Sequence, residues 1–299
     1  MKRFFSVIFL ISFLTSTAFA DYSGIDSFNQ EGKVFLWEAK SAKNTVYILG
    51  SIHLARASLY PLDKKIEDAF ARSDALAVEV NIEAYDPVVL QQMCIERGVY
   101  SDGSTIGDHL SEETFKLVVE KMGSFGLGLT QMVLFKPWFL AITLVTLELV
   151  KLGFNPEYGV DKHFLIKAKN KKILELESVE YQLNLFDGFT DKQQDLFLFS
   201  TLLDLNIIEK EMDDLIEAWE NGDVVKTEEI LMQGLEQYPE ILPIVDKIFY
   251  QRNIKMTSKI ENYLDTNDTY FVVVGAGHLV GEKGIIQLLK KKGYLLHQL

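Results

Sequence analysis

The chain has 299 residues, 48% of them hydrophobic and 24% charged, a balance that excludes a disordered polymer and supplies enough apolar surface for a sizeable core. Its formal net charge of −13 excludes nucleic acid as a partner of the surface as a whole, because phosphates call for a basic face. The single cysteine, Cys94, excludes an internal disulfide and, with no histidine near it in sequence, reads as a small buried hydrophobe.

In chain order, Lys2 and Arg3 precede an apolar run from Phe4 to Leu14, and Ala18-Phe19-Ala20 supplies a small-x-small cleavage pattern. Residues 1–20 therefore read as an export signal cleaved after Ala20, too short in its apolar core to span a membrane comfortably. The expectation is a periplasmic or secreted protein with no stable membrane span after cleavage. Residues 21–299 read as one α/β domain. Val34–Glu38 and Thr45–Leu49 are predicted strands joined at the polar turn Ala42-Lys43-Asn44. A helix is predicted over Pro61–Ser73, opening with proline in its first turn, and Ala75–Val80 is a short apolar strand. Helices follow over Val88–Arg97 and, after the cap-like Ser111, Thr114–Met122. Gln131–Leu152 is the most apolar internal segment. Lys136, Pro137 and Glu148 interrupt it, so it reads as a buried or groove-lining helix starting near Pro137. Gly159–Lys169 is helical and Lys172–Leu176 is a third core strand. Asp191–Tyr250 is helical almost throughout, and Arg252–Leu264 is a further helix. Tyr270–Val274 is the last core strand, followed by a helix over Gly281–Lys292 and a closing strand over Tyr294–Leu296. The fold class expected is α/β: a central mixed β-sheet flanked by helices, with a large helical insertion over about 185–265.

One short pattern occurs twice. Val46 to Leu54 is an apolar strand ending in Gly50-Ser51-Ile52-His53-Leu54, and Phe271 to Leu279 repeats it with Gly275-Ala276-Gly277-His278-Leu279. Of five histidines, two thus share one local context. Glycine permits a sharp turn at a strand end, and small neighbours would leave room for a ligand beside the backbone. On adjacent strands, such turns would aim His53 and His278 into one crevice at the edge where α/β sheets bind ligands, a pairing that suits a divalent transition metal. Glu79, at the end of the strand Ala75–Val80, is the natural third ligand, since two histidines and one carboxylate leave a coordination position open for water. Glu177, placed similarly after Lys172–Leu176, is a candidate general base or a group that fixes a histidine tautomer. Arg252 is a candidate for stabilising an oxyanion or a substrate carboxylate; a structural ion pair is the plainer alternative. Asp161 is a weaker candidate of the same kind. His109, His163 and His297 lack the glycine context and read as surface or packing residues.

These pieces resemble the TraB/GumN family, which is related to the Tiki metalloproteases and more distantly to erythromycin esterases and ChaN-like proteins. The resemblance runs in order through Leu49–Leu54, the Glu79 strand, Lys136-Pro137-Trp138, Gly159-Val160-Asp161, Leu176-Glu177-Ser178 with Gln182, Arg252-Asn253 with Met256, and Val274–Leu279. It implies an α/β fold with two pseudo-equivalent halves, each bearing a Gly-x-x-His. For Tiki-like members it implies metal-dependent peptide hydrolysis, with His53, His278 and Glu79 as ligands to manganese or cobalt; zinc is also compatible with that donor set. The leading expectation is an exported metal-dependent hydrolase, a peptidase of Tiki type, acting on a peptide or small-molecule substrate. The alternatives are a non-catalytic haem- or peptide-binding protein, with Val133–Val150 lining a groove, and a metal-independent esterase.

Overall fold

Six strands form one sheet, seen in a computed structural model that describes residues 32–299 apart from 129, 131, 234 and 236–238. The export signal expected over residues 1–20 lies outside the described residues. The strands are β1 (Leu36–Lys40), β2 (Thr45–Ser51), β3 (Ala75–Val78), β4 (Lys172–Glu175), β5 (Tyr270–Gly275) and β6 (Leu295–Gln298), in the spatial order β4-β3-β5-β2-β1-β6. Neighbours from β4 to β2 run parallel, whereas β1 pairs antiparallel with both β2 and β6. The sheet is therefore mixed, as expected. The inner strands β3 and β5 are buried along their whole length and β2 nearly so, which is why they read as continuous apolar runs without alternation. The edge strands β4 and β6 are short and half-exposed, as unpaired edges require.

The first hairpin turns where predicted. Ser41 N–H donates to the Asn44 carbonyl at 3.1 Å, and Asn44 Nδ2 donates to the Tyr263 and Asp268 carbonyls at 2.8 and 2.6 Å. The helices before β4 are α1 (Lys64–Arg72), α2 (Pro87–Gly98), α3 (Glu112–Ser124), α4 (Pro137–Lys151) and α5 (Val160–Lys167). In α1 the side chain of Asp63 caps the Lys65 N–H, and Ile66, Ala69 and Phe70 face the core at helical spacing. Most of α4 is interior, with Trp138, Leu140, Ala141, Leu144 and Leu149 at most 2% exposed, and it packs on α7 (Asp191–Asp204). The apolar segment Val133–Val150 thus mainly fills the core rather than lining a groove. Among the described residues no helix is long and apolar enough to cross a membrane.

Between β4 and β5 the chain is helical: α6 (Val179–Asp187), α7, α8 (Ile208–Glu220), α9 (Val224–Met232), the short α10 (Leu242–Val245), a π-helical turn at Asp246–Tyr250 and α11 (Gln251–Leu264). The long helical stretch expected over Asp191–Tyr250 is interrupted. Gly222, at φ +60°, ends α8 in the left-handed conformation that favours glycine, where a Cβ would stand 2.7 Å from the Lys33 carbonyl oxygen. A last helix, α12 (Ile285–Lys291), packs against α11 before β6 closes the sheet.

Candidate functional site

Four adjacent parallel strands end on one edge of the sheet, and each is followed by a candidate residue. His53 lies two residues beyond β2, Glu79 directly follows β3, Glu177 lies two beyond β4, and His278 closes a 3-10 turn, Ala276–His278, after β5. The ladder continues past the strands, because Leu176 N–H donates to the Val78 carbonyl and Glu177 N–H to the Glu79 carbonyl, each at 2.8 Å. This is the carboxyl edge where open α/β sheets place ligands. Residues from four distant parts of the chain are gathered there.

The two Gly-x-x-His copies sit on neighbouring strands but are not superimposable in register. Ser51 pairs with Gly275 and Gly50 with Val274, so the motif glycines are offset by one residue. The glycines also serve different ends. A Cβ on Gly50 would meet the Phe35 ring at 2.5 Å, and one on Gly277 would meet Phe249 at 3.0 Å. There the room expected for a ligand is occupied by packed aromatic side chains. Gly275 is different. A methyl built on it would stand 3.3 Å from His53 Nε2, 3.4 Å from Glu79 Oε1 and 3.6 Å from His278 Cδ2. The backbone at Gly275 (φ −51°, ψ 135°) suits any residue, so its missing side chain matters for space, and that space is bordered by both imidazoles and the carboxylate.

Each group has a defined partner. His53 Nδ1 is 2.9 Å from Asp161 Oδ1, which also accepts from Ser51 Oγ at 2.9 Å, while Asp161 N–H donates back to Ser51 Oγ at 3.1 Å. His278 Nδ1 is 2.6 Å from Asn253 Oδ1, and Asn253 Nδ2 donates to the Lys283 carbonyl at 2.9 Å. His278 Nε2 stands 3.8 Å from Glu79 Oε1. That oxygen accepts the Gly275 N–H at 2.6 Å, and Glu79 Oε2 accepts from Arg252 Nη2 at 2.5 Å and Gln182 Nε2 at 3.2 Å. Arg252 is spent on acceptors. Its Nε and Nη2 bind Glu177 at 2.7–3.0 Å, and its Nη1 donates to the Ile248 carbonyl at 3.1 Å, within the π-helical turn. Gln182 also donates to Glu177 at 2.8 Å. From the far side, the Trp219 indole of α8 donates to the Gly50 carbonyl at 2.6 Å and ties the helical region to the first motif.

Burial and charge set the two histidines apart. Burial pulls the His53 pKa down, but the charge and hydrogen bond of Asp161, with Glu79 behind them, outweigh it and the pKa is raised. Burial, the Arg252 guanidinium and the neighbouring His53 push His278 down to about 3 against the pull of Glu79, so it is neutral at physiological pH. Burial alone would raise Glu79, but Arg252 outweighs it, and Glu79 is held down at about 2. The candidate residues singled out in the sequence, His53, Glu79, Asp161, Glu177, Arg252 and His278, all lie in this connected cluster. Gln182 and Asn253 had no assigned role. Their only sequence signal was their place in matched pieces of the family pattern. His163 pairs with Glu67 at 3.0 Å and His109 stacks on Tyr100, both away from the cluster. Among the described residues there is no group of three or more His, Cys, Asp or Glu side chains placed so that it could hold a metal ion.

The TraB/PrgY/gumN family model matches residues 35–298. The uncharacterized protein YbaP of Escherichia coli is 25% identical over 246 residues, covering 82% of this chain and 87% of that protein. A metalloprotease TIKI homolog of Amphimedon queenslandica is 43% identical over 67 residues, 22% of this chain but only 13% of its own length. Metalloprotease TIKI2 of Danio rerio is 25% identical over 150 residues, 49% of this chain and 27% of that protein. No solved structure matches.

Proposed function

The chain belongs to the TraB/PrgY/gumN family, and from that premise we propose that it is a metal-dependent hydrolase, a peptidase in the manner of the metalloproteases it partly resembles. His53, His278 and Glu79 would hold a divalent cation. The observation that carries this reading is the open side of Gly275, bordered by one imidazole nitrogen, one carboxylate oxygen and the edge of a second imidazole.

Two of the three donors are spaced as ligands of one ion could be. Metal–nitrogen and metal–oxygen bonds of about 2.0–2.2 Å allow two ligand atoms of one ion to stand up to about 4 Å apart, and His278 Nε2 and Glu79 Oε1 are 3.8 Å apart. Charge points the same way: the carboxylates of Glu79 and Glu177 share one guanidinium, Arg252, and a third carboxylate, Asp161, stands behind His53. A buried site with surplus negative charge favours a cation. Manganese or cobalt is expected from the family relationship, and imidazole with carboxylate also suits zinc.

When bound, the metal would supply Lewis acidity toward water and a scissile carbonyl. The protein's own residues hold the geometry. Arg252 fixes Glu79 from behind. Glu177 in turn holds Arg252, its oxygens turned to that side chain, and Gln182 donates to both Glu177 and Glu79. This reading revises the expectations of Glu177 as general base and Arg252 as oxyanion stabiliser, and gives both a positioning part. The substrate class would be a peptide or another small carbonyl compound, reached in the periplasm or outside the cell if residues 1–20 act as an export signal. The test is the metal content of purified protein, with peptide hydrolysis followed through chelation and reloading. About one divalent cation per chain is expected, lost in His53→Ala/His278→Ala. Equal metal content in parent and double variant would overturn the proposal.

A further inference from the structure

The two imidazoles are held by different means toward one end. Asn253 is 1% exposed, and its Nδ2 is committed to the Lys283 carbonyl. Its Oδ1 therefore faces His278 Nδ1 at 2.6 Å and can only accept. A hydrogen bond forms only if His278 carries its proton on Nδ1. Asp161 Oδ1 likewise accepts from Ser51 Oγ and meets His53 Nδ1 at 2.9 Å, which places a proton on that nitrogen as well. The consequence is an apparent conflict: the His278 Nε2 lone pair then looks toward a carboxylate oxygen, Glu79 Oε1, 3.8 Å away. Two acceptors near each other in a buried site are better accommodated with an electropositive species between them.

We propose that Asp161 and Asn253 are positioning residues that lock His53 and His278 as Nδ1–H tautomers, so that each imidazole presents its Nε2 lone pair to the site beside Gly275. This rests on the metal-centre reading above for its purpose, but not for its geometry. Partners of this kind orient ligating histidines and raise their basicity, and losing one costs about 10–100-fold in metal affinity. The division of labour is unequal. A carboxylate backs His53 and an amide backs His278, so the two motif copies are not interchangeable although their sequences match.

The test uses the whole mature chain and two readouts. Long-range proton–nitrogen NMR of the metal-free protein, in mildly alkaline solution, reports which nitrogen of each ring is protonated. Equilibrium titration with Co(II) or Mn(II) reports affinity. The parent is expected to show both rings as Nδ1–H. Asp161→Ala should release His53, and Asn253→Leu should release His278, from that tautomer, each with metal affinity weakened about 10–100-fold. Asn253→Asp keeps an oxygen acceptor at Nδ1 and should retain the His278 tautomer, which separates positioning from simple loss of fold, whereas Asp161→Asn can turn an amide N–H to His53 Nδ1 and should release that ring. Nε2–H tautomers in the parent would overturn the inference, as would releasing variants that leave tautomer and affinity unchanged. Tautomers that behave as described in a protein binding neither metal would support the positioning roles and overturn the metal reading instead.

Discussion

Replacing Arg252 with methionine removes the charge that holds the site's carboxylates while keeping most of the side chain's apolar stem. Arg252 is 4% exposed and Glu177 8% exposed, and the guanidinium bonds to both Glu79 and Glu177. Without it two buried carboxylates lose their counter-charge, and breaking a buried pair in this way costs about 3–5 kcal/mol. Domains of 5–15 kcal/mol total stability survive such a loss, so the variant should fold. Its melting point should fall by about 6–10 °C, taking roughly 2 °C per kcal/mol for a chain of this size. The pH dependence follows from the same charges. In the parent, the Glu79 pKa is depressed, so the stability it contributes is present above its unfolded value and lost as pH falls. In Arg252→Met, Glu79 loses the largest of the influences that lower its pKa, its folded pKa rises, and the penalty is relieved as pH falls toward the ordinary glutamate range. Urea denaturation of metal-free parent and variant at pH near 7 and near 5 should therefore show a stability gap that narrows on acidification. A gap below about 1 kcal/mol, or one of equal size at both pH values, would refute the description of Arg252 as the counter-charge of two buried acids.

Neighbouring glycines should respond oppositely to one added methyl. Gly275→Ala should make His53 and Glu79 shift by a few tenths of an ångström and lose most Co(II) or Mn(II) affinity in an equilibrium titration, because its methyl would enter the space bordered by His53, Glu79 and His278. Gly277→Ala should instead destabilise by about 1–3 kcal/mol through overpacking against Phe249 and Leu231, measured by urea denaturation. Trp219→Phe should cost about 1–3 kcal/mol, because it leaves the buried Gly50 carbonyl without its donor; an unchanged denaturation midpoint would contradict that role. In the chelated parent the Glu79 contribution, on the order of 3 kcal/mol, should be lost as pH falls from about 4.5 toward 2, the window over which Glu79 is ionised in the folded chain and protonated in the unfolded one, and His278, neutral in the folded chain down to about 3, adds to the loss. Glu79→Gln should flatten that limb of the stability curve.

How far the sequence led depends on the range of each interaction. All six strands were legible because each is a short apolar run bounded by turn residues, and α4 because Pro137 marks its start. The candidate residues were legible because strand ends are local events: Gly50 lies one residue before the end of β2, Glu79 directly follows β3 and Gly275 closes β5. Strand order was not legible. That β2 and β5 are neighbours follows from packing across more than 200 residues, and the convergence of His53 with His278 depends on it. The helix α6 escaped notice since its cap, Ser178, follows directly on the β4 exit, leaving no turn to mark a boundary. With α6 unseen, Gln182 had no place in the site. Asn253 gave no sign of its partner, because His278 lies 25 residues further on and meets it only across α11 and the last turn. Even the glycine motif misled in part, since Gly50 and Gly277 make room for Phe35 and Phe249 while Gly275 opens onto the site.

Crystals of the mature chain soaked with manganese or cobalt, examined by anomalous scattering at the metal's absorption edge, test the central claim most directly. A single strong peak is expected about 2.0–2.2 Å from His53 Nε2, His278 Nε2 and a Glu79 carboxylate oxygen. No peak among those three side chains, or a peak bound by other residues, would contradict it.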